Sequence, residues 1–161
     1  MTEFSHIDSE NKVKMVDVSE KEVTCRTATA RGEIILTAEL IGQILNRQLD
    51  KGDLISAAKI AAISAAKKTW ELIPLCHQIK LESVAVEISV IGNENKVEVI
   101  STVKGSDKTG VEMEALTAVS VALLTIYDMC KAVTKEMKIK DIMLIEKTGG
   151  RSGRWKSGGT L

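Results

Sequence analysis

Aromatic side chains are nearly missing from this chain: two Trp, one Tyr and one Phe make up 2% of 161 residues. That scarcity removes the stacking platforms on which binders of single-stranded nucleic acid rely. Charge of one sign is not in excess either, since Lys+Arg and Asp+Glu number 22 each. The molecule as a whole therefore has no field to hold DNA or an anionic membrane, so neither is an expected partner and any anion must be met by a local cluster. Cysteines are few: Cys25, Cys76 and Cys130 are odd in number, widely spaced and without a CxxC pair, which suits reduced thiols better than a disulfide framework. Together with His6 and His77 they show no metal-ligand spacing, so neither a metal nor another cofactor is expected. Neither a charged start followed by an apolar run nor an apolar span of bilayer length is visible, and a cytoplasmic protein is expected.

What is present is enough apolar material, 44% of the chain, for one compact domain. A single domain over residues 1–161 is expected, with a flexible N-terminus and a glycine-rich C-terminal tail. Residues 15–19 and 22–30 read as extended, the second alternating Val23, Cys25, Thr27 and Thr29 against Thr24, Arg26, Ala28 and Ala30. Residues 37–49 and 53–68 read as helices. Residues 81–91 and 96–104 alternate at period two around Gly92, Asn93, Glu94 and Asn95, which is the pattern of a hairpin. A long helix over 110–135 and a last strand over 139–146 complete a β-β-α-α-β-β-α-β order. That order predicts an α+β layered domain, a largely antiparallel sheet packed on helices.

The long helix carries no charge between Ala115 and Tyr127, and its apolar residues fall on every side. A helix apolar all round is buried all round, so a homo-oligomer is expected. Charge returns at both ends, with Glu112 and Glu114 in the first turn and Asp128 and Lys131 near the last, the latter pair on one side at i and i+3. Thr109 and Glu112 also fit an S/T-x-x-E capping box, the plain structural role for such residues. Glu114 and Asp128 are fourteen residues apart, roughly 21 Å along a helix, too far to touch one small ligand from a single helix. If both serve one site, two copies of the chain supply them.

A second cluster is KKTWELIPLCH, residues 67–77, where the one proline, Pro74, biases Ile73 toward an extended form and places Leu75, Cys76 and His77 on a stiff turn. A Cys–His nucleophile pair is disfavoured there, because adjacent residues in extended chain point to opposite faces. The plain alternative is a buried thiol beside a histidine bonded to backbone. A third group is cationic: Lys51 with Gly52 at a helix start, and Lys147, Arg151 and Arg154 among the glycines of KTGGRSGR. Free N–H groups and positive charge of this kind suit phosphate. No Walker or GxGxxG pattern is present.

KKTWELIPLCH, GVEMEALTAVSVALLTIYDMCKA and the closing KTGGRSG together resemble the MoaC family, the cyclic pyranopterin monophosphate synthases of molybdenum cofactor biosynthesis. The likeness runs from SHID and MVDVS at the start to the tail. It implies a ferredoxin-like α+β subunit assembled as a hexamer, a trimer of dimers, with sites between subunits. It further implies a reaction in which (8S)-3′,8-cyclo-7,8-dihydroguanosine 5′-triphosphate becomes cyclic pyranopterin monophosphate with release of pyrophosphate. Carried onto this chain, the family's active-site acid matches Asp128, and Lys131 matches its partner lysine. Leu75, Cys76, His77, Met113 and Glu114 match substrate contacts, while Lys51, Glu112, Arg26 and Lys147 match further polar groups of the pocket. The family pattern is broken at Gln78, where a proline is usual, and at Arg151, where a lysine is usual. From periodicity alone, a non-catalytic nucleotide-binding regulatory domain of the same α+β class also fits.

Overall fold

The computed structural model describes residues 6–8, 10–46 and 53–158. Strand β1 (Thr24–Ile35) leads through helices α1 (Ala38–Leu45), α2 (Leu54–Ala66) and the short α3 (Thr69–Leu72) to strand β2 (Leu81–Ile91). A 3₁₀ turn at Gly92–Glu94 closes the hairpin to β3 (Lys96–Asp107), followed by α4 (Glu112–Cys130), β4 (Lys138–Thr148) and the two-residue β5 (Trp155–Lys156). The sheet order is β2-β3-β1-β4-β5, with every pairing antiparallel. The expected α+β class holds, and the layout is that of a ferredoxin-like domain with helices layered on an antiparallel sheet.

Alternation decides which face of the sheet is dry. Ala28, Ala30 and Ile34 of β1 and Val97, Val99 and Val103 of β3 are fully or nearly fully buried, as expected for one face of a pleated sheet covered by helices. Gly32 lies on that face: a Cβ there would stand 2.9 Å from Ile142, Leu123 and Val119 side chains. Its missing side chain lets α4 settle onto the middle of β1. The same strand turns Thr29, Arg31 and Glu33 the other way, where Glu33 meets Lys140 at 2.7 Å and Lys96 at 3.1 Å. Those cations hold the Glu33 carboxyl down at about 2, the bond to Lys140 doing most.

Element ends depart from the alternation pattern in places. Residues 15–19, expected as a strand, form no ladder and lie outside the sheet. β1 runs on to Ile35, past the expected end at residue 30, because Gly32 serves close packing and does not interrupt the strand. α1 spans Ala38–Leu45 with Asn46 as its C-cap, and residues 47–49 of the expected helix lie outside the described residues. α4 stops at Cys130, not at 135: Val133 N–H donates to Cys130 O at 2.9 Å and the Tyr127 hydroxyl donates to Lys135 O at 3.1 Å, fixing a turn in place of another helical turn. After the tail glycines, Trp155–Lys156 pair with the end of β4 as β5, with Lys147 opposite Trp155.

α4 is long and apolar enough, contrary to the sequence reading, to span a bilayer. Ala115, Ala118, Val119, Ala122, Leu123 and Ile126 are nonetheless buried within the domain, against the sheet and α2. Its hydroxyls are satisfied along the helix, Ser120 donating to Leu116 O at 2.8 Å and Thr125 to Val121 O at 2.7 Å. α4 is thus the central core helix, with α2 covering part of the side the sheet leaves open.

Candidate active site

The turn after α3 is built as Pro74 dictates. Ile73 is extended (φ −108, ψ 108), and Cys76 N–H donates to Ile73 O at 3.0 Å. From there the chain is stitched to the end of β3: Lys80 N–H donates to Asp107 Oδ2 at 3.2 Å, and Ser106 N–H donates to Lys80 O at 3.2 Å. Gly105 permits this approach, since a Cβ there would lie 2.9 Å from Lys80 O. The CH turn is thereby held beside the start of α4.

A cavity of about 360 Å³ opens at that junction, and Leu75, Cys76, His77, Glu112, Met113 and Glu114 all line it. Six of the eleven residues matched to the family's site therefore meet in one place. Lys51 lies outside the described residues. His6, Val16, Lys21 and Ile79 complete much of the wall; no motif flagged them, because three of the four come from the N-terminal segment that forms no regular ladder here.

Glu114 is 3% exposed, and its Oε2 has no hydrogen-bond partner. Burial pushes its pKa up to about 7, with the neighbouring Glu112 charge adding to the rise against a bond from its own backbone N–H. Burial, with the charge of Glu114 behind it, also raises the Cys76 thiol, so Cys76 stays protonated at neutral pH and is no thiolate nucleophile. Glu112 is arranged differently. Its Oε1 lies 2.9 Å from Lys147 Nζ, and its carboxylate packs over Gly110, where any Cβ would collide with it. The capping box is not formed: Val111 is the N-cap, no side chain caps it, and Glu112 reaches Lys147 of β4.

Beside this cavity lies a second, of about 740 Å³, lined by the cations Lys21, Arg26, Lys108, Lys147 and Arg151 and by the acids Glu20, Glu22 and Glu112. The two share Lys21, Thr109, Gly110 and Glu112. Arg26 Nη2 donates to Lys108 O at 3.2 Å, and its guanidinium fills the space where a side chain at Gly150 would stand, while one at Gly149 would collide with Cys25 O. Those glycines have φ of +96° and +68°, which turns the tail back over Arg26. Arg154, expected with the other tail cations, instead bonds Glu146 at 2.6 Å and does not line the cavity.

Asp128 and Lys131 stand elsewhere. They are bonded to each other at 2.6 Å at the far end of α4, with side chains 61% and 52% exposed. The bond to Asp128 raises the Lys131 pKa. Within one chain this pair does not reach the cavity lined by Glu112 and Glu114. Among the described residues, no three His, Cys, Asp or Glu side chains are grouped to hold a metal ion.

Comparison with known proteins matches these features to one family. Residues 15–150 fit the profile described as the MoaC family. Two curated relatives, each named cyclic pyranopterin monophosphate synthase, come from Chloroflexus aurantiacus strains J-10-fl and Y-400-fl. Each is 50% identical over 154 residues, spanning 96% of this chain and 94% of the relative. The segments that line the cavity, the CH turn and the first turn of α4, both fall inside the matched region, and so do Asp128 and Lys131. This chain belongs to the MoaC family.

Proposed function

We infer that this protein is a cyclic pyranopterin monophosphate synthase, converting (8S)-3′,8-cyclo-7,8-dihydroguanosine 5′-triphosphate to cyclic pyranopterin monophosphate and pyrophosphate in molybdenum cofactor biosynthesis. The observation that carries this reading is the convergence of the CH turn and the first turn of α4 on one cavity, adjoining a second lined by five cations. The first suits a heterocycle and sugar; the second suits a polyphosphate. A regulatory domain that only holds a nucleotide is not favoured, since the relatives at 50% identity are named as synthases.

Forming the cyclic phosphate requires a sugar-derived hydroxyl to attack the α-phosphorus. A new O–P bond forms, the bond to the β-phosphate oxygen breaks, the hydroxyl proton passes to a base, and pyrophosphate leaves. Rebuilding the purine-derived ring needs further proton transfers. Asp128 and Lys131 carry this proton work as a coupled acid and base. His77, Glu112 and Glu114, with Leu75, Cys76 and Met113, hold the base and sugar. Lys51, Arg26, Lys147 and Arg151 neutralise the triphosphate as charge builds on the leaving group.

Because Asp128 and Lys131 lie at the opposite end of α4 from the cavity, the site takes them from a neighbouring copy. Helices antiparallel about a two-fold axis bring the start of one beside the end of the other. Leu124 of α4 and Ile60 of α2, 57% and 66% exposed in the single chain, support burial against another copy. The assembly is a hexamer arranged as a trimer of dimers, acting in the cytoplasm on a small molecule. The test is incubation of the oligomer with the cyclised dihydro-GTP, assaying pterin product and pyrophosphate. Stoichiometric formation of both supports the reading; folded oligomer that yields neither rejects it.

A further inference from the structure

Glu112 and Glu114 project from the same turn of α4 into one cavity, yet their surroundings differ in kind. Glu112 is half-buried and ion-paired with Lys147 at 2.9 Å, so its negative charge is compensated. Glu114 is buried, with one carboxyl oxygen lacking any hydrogen-bond partner and, among the described residues, no cation within ion-pair distance. The other titratable or charged groups sharing its cavity are His6, Lys21, Cys76 and His77. An isolated carboxylate in that position is far more costly than a protonated carboxyl. A buried carboxyl without a cation beside one that is ion-paired can divide the work between donor and acceptor.

We propose that Glu114 stands in the site as a neutral carboxylic acid and recognises the ligand's heterocycle by donating a hydrogen bond to an acceptor on it, a ring imine nitrogen or carbonyl oxygen, while Glu112, paired with Lys147, accepts. This rests on the function inferred above for the identity of the heterocycle. It is supported by the upward displacement of the Glu114 pKa to about 7, which burial and the fixed charge of Glu112 both drive. Asp128 and Lys131, assigned above to the neighbouring copy, are bonded to each other at 2.6 Å and as an ion pair carry no net charge.

Two measurements on the full oligomer test it. In ligand-free protein carrying ¹³C-labelled glutamate, the Glu114 carboxyl, assigned by its loss in Glu114→Gln, should titrate near neutrality. Titration in the ordinary carboxylate range overturns the proposal whatever the enzyme does. Calorimetry with the cyclised dihydro-GTP then uses an Asp128→Asn background to slow turnover, with and without Glu114→Gln. Glutamine is isosteric, permanently neutral and still a donor. The affinity advantage of the glutamate protein over the glutamine protein should fall about tenfold per pH unit above neutrality, since only the glutamate loses its donor proton. An advantage that grows with pH would mean that the carboxylate is the binding form, and overturns the proposal alone. Absence of binding by both proteins rejects the function assigned to the site and the proposed donor with it.

Discussion

Lys147 Nζ lies 2.9 Å from Glu112 Oε1, tying the end of β4 to the first residue of α4 across the boundary between the two cavities. Glu112 is placed twice, by this ion pair and by the bare Cα of Gly110 beneath its carboxylate. Lys147→Met should lower kcat/KM by about 10- to 30-fold, the loss of one charge-assisted bond at a half-buried position. Steady-state kinetics with the cyclised dihydro-GTP, with Lys147→Arg as a partial rescue, checks this.

Asp128→Asn and Lys131→Ala should each leave the fold and oligomer intact, because the pair is largely exposed in the chain and such pairs add little stability. Turnover should nevertheless fall at least about 100-fold, the usual scale for removing a general acid or base. Thermal melts together with single-turnover assays separate the two effects. A collapse in melting temperature with little loss of rate would assign the pair a structural role.

Glu114 has a stability consequence of defined sign. Its folded pKa, about 7, lies above the ordinary glutamate value of 4.5, so its favourable contribution is complete below the unfolded value and is lost as pH rises through about 7. Glu114→Gln should therefore be relatively stabilising above neutrality, by on the order of 3 kcal/mol at most, and nearly neutral at acid pH. Denaturant midpoints measured across that range are the check.

Glu33 behaves in the opposite sense. Held at about 2 against the ordinary glutamate value of 4.5, chiefly by Lys140, its stabilisation is present above the unfolded value and lost as pH falls through about 2. Glu33→Gln should cost about 2–3 kcal/mol at neutral pH, leaving Lys96 and Lys140 without their shared partner. It should also flatten the acid limb of the stability curve.

At the centre of the core, Gly32→Ala should cost about 1–3 kcal/mol, because the new methyl would meet Val119, Leu123 and Ile142 side chains at 2.9 Å. Differential scanning calorimetry measures it directly. An unchanged melting temperature would mean that α4 sits less tightly on β1 than described.

The hairpin of β2 and β3 was legible because Val84, Val86, Ile88 and Val90 alternate with polar residues on one side of a Gly-Asn turn, and local pattern decides such pairs. The starts of α1 and α2, expected at residues 37 and 53, were legible to within one residue, since those two are the N-caps: Thr37 Oγ1 accepts from Leu40 N–H, and Asp53 Oδ1 accepts from Ser56 N–H. The full length of β1 was hidden because Gly32 reads as an interruption until the helix it accommodates is known. Lys21 and Lys108 were missed as cavity cations because nothing near them repeats or alternates; only the folded chain brings them beside Arg26 and Lys147. The cluster of Leu75, Cys76, His77, Glu112, Met113 and Glu114 was readable through a rigid Pro turn and charges at the edge of a dry helix. The differing states of Glu112 and Glu114 were not, since both are first-turn acids in sequence and only burial and Lys147 separate them.

If the two polar ends of α4 form one site, two copies of the chain supply them. Subunit exchange between His77→Ala and Asp128→Asn proteins, each inactive alone, tests it most directly. With random pairing about a two-fold axis, about a quarter of the sites recover both intact halves, and activity should approach that fraction of wild type. Mixtures that exchange subunits fully yet stay inactive would contradict it, because each site would then be built from a single chain.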